Sequence, residues 1–130
     1  VTDAAEIRLH RVALAADSGH VVDPAGLTAQ MEGGFLQAAS WTLYEQVTWD
    51  RDGITSRDWD TYPVLRFAEI PPVSVKLLDQ PGAPSLGSGE ATQGPTPAAI
   101  ANAVFDAVGV RLREMPFTPE RVKAALTQPQ

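Results

Sequence analysis

Few groups in this chain can carry chemistry, and their types narrow what that chemistry can be. There is no cysteine and there are only two histidines, His10 and His20, so a thiolate nucleophile, a thiolate metal site and a three-histidine centre are all excluded within it. Asp17, His20 and Asp23 bring oxygen and nitrogen donors close together in sequence, but their spacing spans a turn and a change of secondary structure. Carboxylates so placed accept turn and helix-terminal amides more naturally than they ligate a metal. Glu32, Glu45 and Glu90 supply further carboxylates, and sequence separation puts no pair of them at the distance a glycosidase needs.

Two places hold more. Gln30 has an amide that both donates and accepts hydrogen bonds, which suits recognition of a heterocycle or a phosphate beside a helix; Gln37, Gln46 and Gln93 carry the same groups, so glutamine chemistry alone does not select it. Gly87-Ser88-Gly89-Glu90 sets a carboxylate among small residues in a segment rich in turn formers. Glycines there can expose neighbouring amides to a ligand while Glu90 offers a proton acceptor beside the same opening, although a plain linker reads equally from the pattern. The segment is no nucleotide P-loop, no dinucleotide Gly-x-Gly-x-x-Gly and no Gly-x-Ser-x-Gly elbow, so the familiar enzyme assignments for glycine-rich loops fall away. Trp41, Trp49, Trp59 and Phe35 suit a core or a partner interface rather than a fixed stacking site.

The elements that must position these groups follow from periodicity and turn chemistry. Residues 6–9 and 11–16 alternate polar and apolar with a change of parity between them, the pattern of a bulged or re-aimed strand, and residues 3–5 read as a turn after an earlier strand, so the chain is expected to start inside a sheet. A helix is predicted from Pro24 or Ala25, with Leu27, Met31, Leu36, Ala39, Leu43 and Tyr44 on its apolar stripe and Gly33-Gly34 allowing close backbone packing. Asp50-Arg51-Asp52-Gly53 predicts a hairpin between residues 47–49 and 54–56, and residues 73–78 alternate as a strand behind Pro71-Pro72. Residues 80–97 are too rich in breakers for a core element. A second helix is expected with Thr96 as N-cap, Gly109 as C-cap, and Ile100, Ala103, Val104, Ala107 and Val108 on one face. A short last helix capped by Thr118 should turn Val122, Ala125 and Leu126 inward, before Gln128-Pro129-Gln130 ends the chain and frays. The expected class is α+β: a mixed sheet, two main helices and a long Pro/Gly-rich loop.

Composition agrees with a single ordered domain over residues 1–130. Apolar residues make up 44% and charged residues 20%, with eleven prolines and ten glycines, and a chain of 130 residues buries roughly two thirds of its unfolded surface. Sixteen acidic against ten basic residues give a net charge of -6; Arg8 with Arg11 and Arg111 with Arg113 are the nearest approach to basic clusters, and neither is interleaved with aromatic residues. No nucleic-acid partner is expected. No apolar stretch approaches the roughly 20 residues that cross a membrane, and the first residues lack the basic start and apolar core of a signal peptide, which leaves cytoplasm and periplasm both open.

Taken in order, several blocks resemble one family. Val12-Ala13-Leu14-Ala15-Ala16-Asp17-Ser18-Gly19-His20-Val21-Val22-Asp23-Pro24 and Gln30-Met31-Glu32-Gly33-Gly34 are followed by Ala39-Ser40-Trp41-Thr42-Leu43-Tyr44-Glu45 and Tyr62-Pro63-Val64-Leu65-Arg66. Gly87-Ser88-Gly89-Glu90 and Pro97-Ala98-Ala99-Ile100-Ala101-Asn102-Ala103 complete the series. This order resembles the carboxy-terminal portion of the molybdopterin-binding large subunit of the xanthine dehydrogenase/aldehyde oxidase family, nearest to the isoquinoline 1-oxidoreductase-like β subunit. Each short motif alone is weak; their shared order from about Glu6 through Phe117 is not.

The resemblance implies a fragment of a molybdenum-dependent hydroxylase that oxidises an aldehyde or an N-heteroaromatic compound with oxygen from water. It implies Glu90 as the buried general base, Gln30 as a hydrogen-bonding residue at a molybdopterin-type cofactor, and Gly87, Ser88 and Gly89 as the wall around Glu90, with no protein ligand to the metal. It also implies partners: the missing amino-terminal part or a companion large-subunit chain, and an iron–sulfur electron-transfer subunit. The isolated chain is not expected to hold the complete cofactor or turn over. Ala91 stands where the family commonly has proline after the glutamate, which is expected to alter the loop. The alternative is a noncatalytic structural or assembly domain that keeps the family fold.

Overall fold

The computed structural model describes residues 1–127; the expected frayed end at Gln128, Pro129 and Gln130 lies outside them. The first strand, β1 (Val12–Ala16), pairs in parallel with β4 (Val73–Leu77), with Val12 opposite Val73 and Ala16 opposite Leu77. Between them run the helix α1 (Pro24–Leu43), a short hairpin of β2 (Trp49–Asp50) and β3 (Gly53–Ile54), and a 3-10 turn at Phe67–Glu69. Two helices follow, α2 (Pro95–Val108) and α3 (Pro119–Thr127). This is the expected α+β class with its two main helices and long loop. Parallel and antiparallel pairings are both present, in two separate two-stranded sheets.

The predicted strand at residues 6–9 does not form, and the parity change falls before β1 rather than as a bulge within it. The ladder opens with Val12 opposite Val73, and the two residues before Val73 are Pro71 and Pro72, which have no N–H to continue it. The Val12 amide donates to the Pro72 carbonyl and the ladder starts there. The early turn is present: the Ala5 amide donates to the Thr2 carbonyl, with Ala5 at φ 64.

α1 begins where Asp23 caps it, Oδ1 accepting from the Gly26 amide at 3.0 Å. Its stripe of Leu27, Met31, Phe35, Ala39 and Leu43 is buried at i, i+4 intervals, and Phe35, Ala39 and Leu43 meet Ile100 of α2 and Phe117 in one core cluster. Burying side chains of this size stabilises by roughly 1.5–3 kcal/mol each.

Three helix details depart from expectation. α2 starts at Pro95 after a run of turns, with Gly94 rather than Thr96 at the N-cap. Thr96 is already inside the first turn, and its hydroxyl bonds back to the Thr92 carbonyl at 2.6 Å. Ala103, Ala107 and Leu126 are exposed, because α2 buries only Thr96, Ile100 and Val104 and α3 only Val122. Gly109 does end α2, in the left-handed region at φ 74, and Thr118 caps α3 by accepting from the Arg121 amide at 3.4 Å.

Candidate functional site

Both parallel strands end on the same side of the sheet, so the connections that leave β1 and β4 lie together there. The two are laced by hydrogen bonds. The Leu86 amide donates to the Ser18 carbonyl at 2.8 Å, the Gln80 amide to the Gly19 carbonyl at 3.0 Å, and the Ser85 hydroxyl to the His20 carbonyl at 2.6 Å. Gly19 sits at φ +71 with the Pro84 carbonyl where a Cβ would stand, so only glycine fits this crossing.

The candidate metal ligands do not converge. Asp17 accepts from the Gly19 amide at 3.0 Å, Asp23 caps α1, and His20 Nδ1 lies 3.6 Å from Asp79. Among the described residues no group of three His, Asp or Glu side chains is placed to hold a metal ion.

Gln30 and the 87–90 segment, far apart in sequence, do come together. Gln30 Nε2 donates to the Gly89 carbonyl at 2.6 Å. The contact continues along α1: Thr92 Oγ1 donates to the Met31 carbonyl at 3.0 Å, and Gln93 Nε2 donates to Gln37 Oε1 at 2.8 Å. Residues 30, 34 and 37 share one face of the helix, and at Gly34 a Cβ would stand 2.5 Å from Thr92 Oγ1. The close packing expected of Gly33-Gly34 is therefore confined to Gly34; a Cβ on Gly33 would meet open space.

Glu90 is exposed, not buried, and its carboxylate makes no hydrogen bond among the described residues. Gly87 and Gly89 bring no side chain to cover it, and a Cβ built on either would meet open space. Beside the loop, Leu86, Gly87, Ala91 and Thr92 form one wall of a cleft of about 600 Å³, whose other walls are β1, α1 and α2. The amides of Gly87, Ser88 and Gly89 meet no acceptor among the described residues. Sequence reasoning did not single out Thr92, nor Gln93 from the other glutamines; the i, i+4, i+7 spacing of Gln30, Gly34 and Gln37 is the signal in α1 that matches their docking.

This donor set fits an oxygen-rich cofactor. It offers unengaged main-chain amides at an open glycine loop and an oriented glutamine amide whose oxygen makes no hydrogen bond among the described residues.

On the opposite flank, Tyr44 donates to Glu69 at 2.6 Å and Tyr62 donates to Glu45 at 2.8 Å. Burial, then the hydrogen bond and charge of Glu69, push the Tyr44 phenol up; the bond to Glu45 pushes Tyr62 up. These tyrosines fasten residues 62–69 to the end of α1. Among the described residues no helix is long and apolar enough to cross a membrane.

Known proteins share the family and the fold of this chain. The family model described as molybdopterin cofactor-binding domain matches residues 2–71, over half of the chain. One of the subunits of nicotinate dehydrogenase from Pseudomonas putida is 44% identical over 121 residues, covering 93% of this chain and 10% of that protein. The β subunit of isoquinoline 1-oxidoreductase from Brevundimonas diminuta is 35% identical over 115 residues, covering 87% of this chain and 14% of that protein. The crystal structure of quinoline 2-oxidoreductase from Pseudomonas putida 86 superposes with a TM-score of 0.78 at 26% identity, covering 88% of this chain and 16% of that one. The chain thus spans 10% to 16% of the length of these proteins. It belongs to the molybdopterin cofactor-binding domain family.

Proposed function

We propose that this member of the molybdopterin cofactor-binding domain family forms the carboxy-terminal part, over residues 1–130, of a molybdenum-dependent hydroxylase. The observation that carries the reading is the bond from Gln30 Nε2 to the Gly89 carbonyl, which sets the Gln-x-Glu-Gly-Gly helix and the Gly-x-Gly-Glu loop side by side. The substrate class is an aldehyde or an N-heteroaromatic compound, the latter supported by the nicotinate, isoquinoline and quinoline in the names of similar proteins. An isoquinoline type is a finer form of the same proposal, and the protein named for nicotinate is the more alike of the two sequences. The partners proposed are the remainder of the large subunit and an iron–sulfur electron-transfer subunit.

When bound, a molybdopterin-type cofactor supplies the redox centre that accepts the substrate's electrons. The residues of this chain do the rest. Gln30, its Nε2 held by Gly89, turns its amide oxygen toward a donor on the cofactor, and the amides of Gly87, Ser88 and Gly89 donate to cofactor oxygens. Glu90 takes up on its carboxylate the proton released as water-derived oxygen joins the substrate carbon. Exposed in this chain, Glu90 would be shielded from water by the segments that complete the subunit.

Glu90→Gln in a cofactor-loaded assembly containing this chain tests the reading. Hydroxylation of a nicotinate-like substrate should fall by about 100-fold or more, the scale of a lost general base. An unchanged rate at full molybdenum content would instead favour the noncatalytic assembly domain.

A further inference from the structure

The contacts that follow Glu90 converge on one residue. Thr92 is only 7% exposed, and both of its polar ends are engaged: the hydroxyl donates to the Met31 carbonyl of α1 at 3.0 Å, and the carbonyl accepts from Thr96 Oγ1 of α2 at 2.6 Å. Gly34 leaves the room this hydroxyl occupies, since a Cβ there would stand 2.5 Å from it. Between Gly89 and Thr92 the chain is held only by turns, the Ala91 amide donating to the Ser88 carbonyl at 3.4 Å and the Gln93 amide to the Glu90 carbonyl at 3.1 Å.

We propose that Thr92 is the positioning residue of this site: its buried hydroxyl ties the loop to α1, its carbonyl ties it to α2, and together they fix where the Glu90 carboxylate stands relative to Gln30. The proposal rests on the reading of Glu90 as the proton acceptor. An exposed carboxylate with no hydrogen bond among the described residues is placed by its backbone, which the Gln30 bond to the Gly89 carbonyl holds on the amino-terminal side. Thr92 holds it on the carboxy-terminal side. There the Thr92 bond is buried and shielded from competing water, whereas the Gln93–Gln37 bond is exposed and water can replace it.

Thr92→Val removes the hydroxyl at nearly constant shape, and Thr92→Ser keeps it. In the full chain, exchange of the Ala91 and Gln93 amides should quicken by about fivefold or more in Thr92→Val, the equivalent of one lost hydrogen bond, and stay near wild type in Thr92→Ser. Amides of β1 and β4 should be unaffected. In the loaded assembly Thr92→Val should lower kcat with KM unchanged and shift the acid limb of the kcat/KM pH profile, with Thr92→Ser restoring both. Equal behaviour of the two variants, or unchanged exchange at Gln93, overturns the proposal. If Thr92→Val does not fold, Gly34→Ala makes the same test from α1, because its Cβ displaces the hydroxyl. Normal turnover in Glu90→Gln would sink the reading of Glu90 and leave the exchange result standing. Loss of turnover in Glu90→Gln with wild-type kcat in Thr92→Val would sink the positioning role alone.

Discussion

Gln30 Nε2 lies 2.6 Å from the Gly89 carbonyl, joining two residues 59 positions apart across the open side of α1. The bond uses one amide hydrogen and fixes the plane of the whole group, so the oxygen of Gln30 has a defined direction before any ligand arrives. Gln30→Ala removes both the tie and the acceptor. Molybdenum retained per chain in the purified assembly should fall several-fold on dialysis, while circular dichroism of the chain stays unchanged. Full retention with an intact fold would rule out a role for Gln30 at the cofactor.

Glu90 makes no stabilising side-chain contact in the fold, so its substitution should separate function from stability. Glu90→Gln is expected to change the unfolding free energy by no more than about 0.5 kcal/mol, the range of exposed positions. Urea denaturation of the two chains side by side checks this, and a clear loss of stability would mean that the carboxylate has a structural partner.

Gly33 and Gly34 are adjacent in α1 and should respond in opposite directions. Gly33→Ala gains helix propensity in open space and should stabilise by roughly 0.5–1 kcal/mol. Gly34→Ala drives a methyl into Thr92 and should destabilise by about 1–3 kcal/mol. Thermal midpoints of the two variants decide it; two shifts of the same sign would contradict the tight approach of the loop to α1.

The raised Tyr44 phenol makes a prediction about alkaline stability. Its value in the folded chain lies above the ordinary 10, so the folded state keeps a proton that the unfolded state has lost. The contribution is complete below about pH 10 and declines as pH rises beyond it. Tyr44→Phe removes this term, so the fall in stability at alkaline pH should be shallower than in wild type. Denaturation midpoints measured in steps across that range test the sign. The position is partly solvent-exposed, which keeps the effect small.

Much of the local structure was legible because it rests on residues near one another. Asp23 and Pro24 start α1, Gly109 ends α2, Thr118 starts α3, and Asp50 turns the hairpin by accepting from the Asp52 and Gly53 amides. The ordered motifs of the sequence also specified the family without any coordinates, since each block keeps its residue types and its place in the series.

What the sequence could not decide is whatever depends on contacts between distant residues. The absence of a strand at 6–9 follows from where the ladder begins, at Val12 opposite Val73 just after Pro71 and Pro72, and that register exists only once β1 has met β4. Thr96 is no helix cap for a local reason instead: the helix starts one residue earlier, at Pro95, and the hydroxyl bonds back four residues to the Thr92 carbonyl. Gln30, Gln37, Gln46 and Gln93 are chemically alike in the sequence, and the docking of the 89–93 turn on α1 gives Gln30 and Gln37 different partners. The sequence by itself determined the donors and acceptors available and the helices and turns that carry them. The packing of the loop against Gly34 decided which of those groups meet, because a hydrogen bond needs partners within about 3 Å and spacing along the chain does not set that distance.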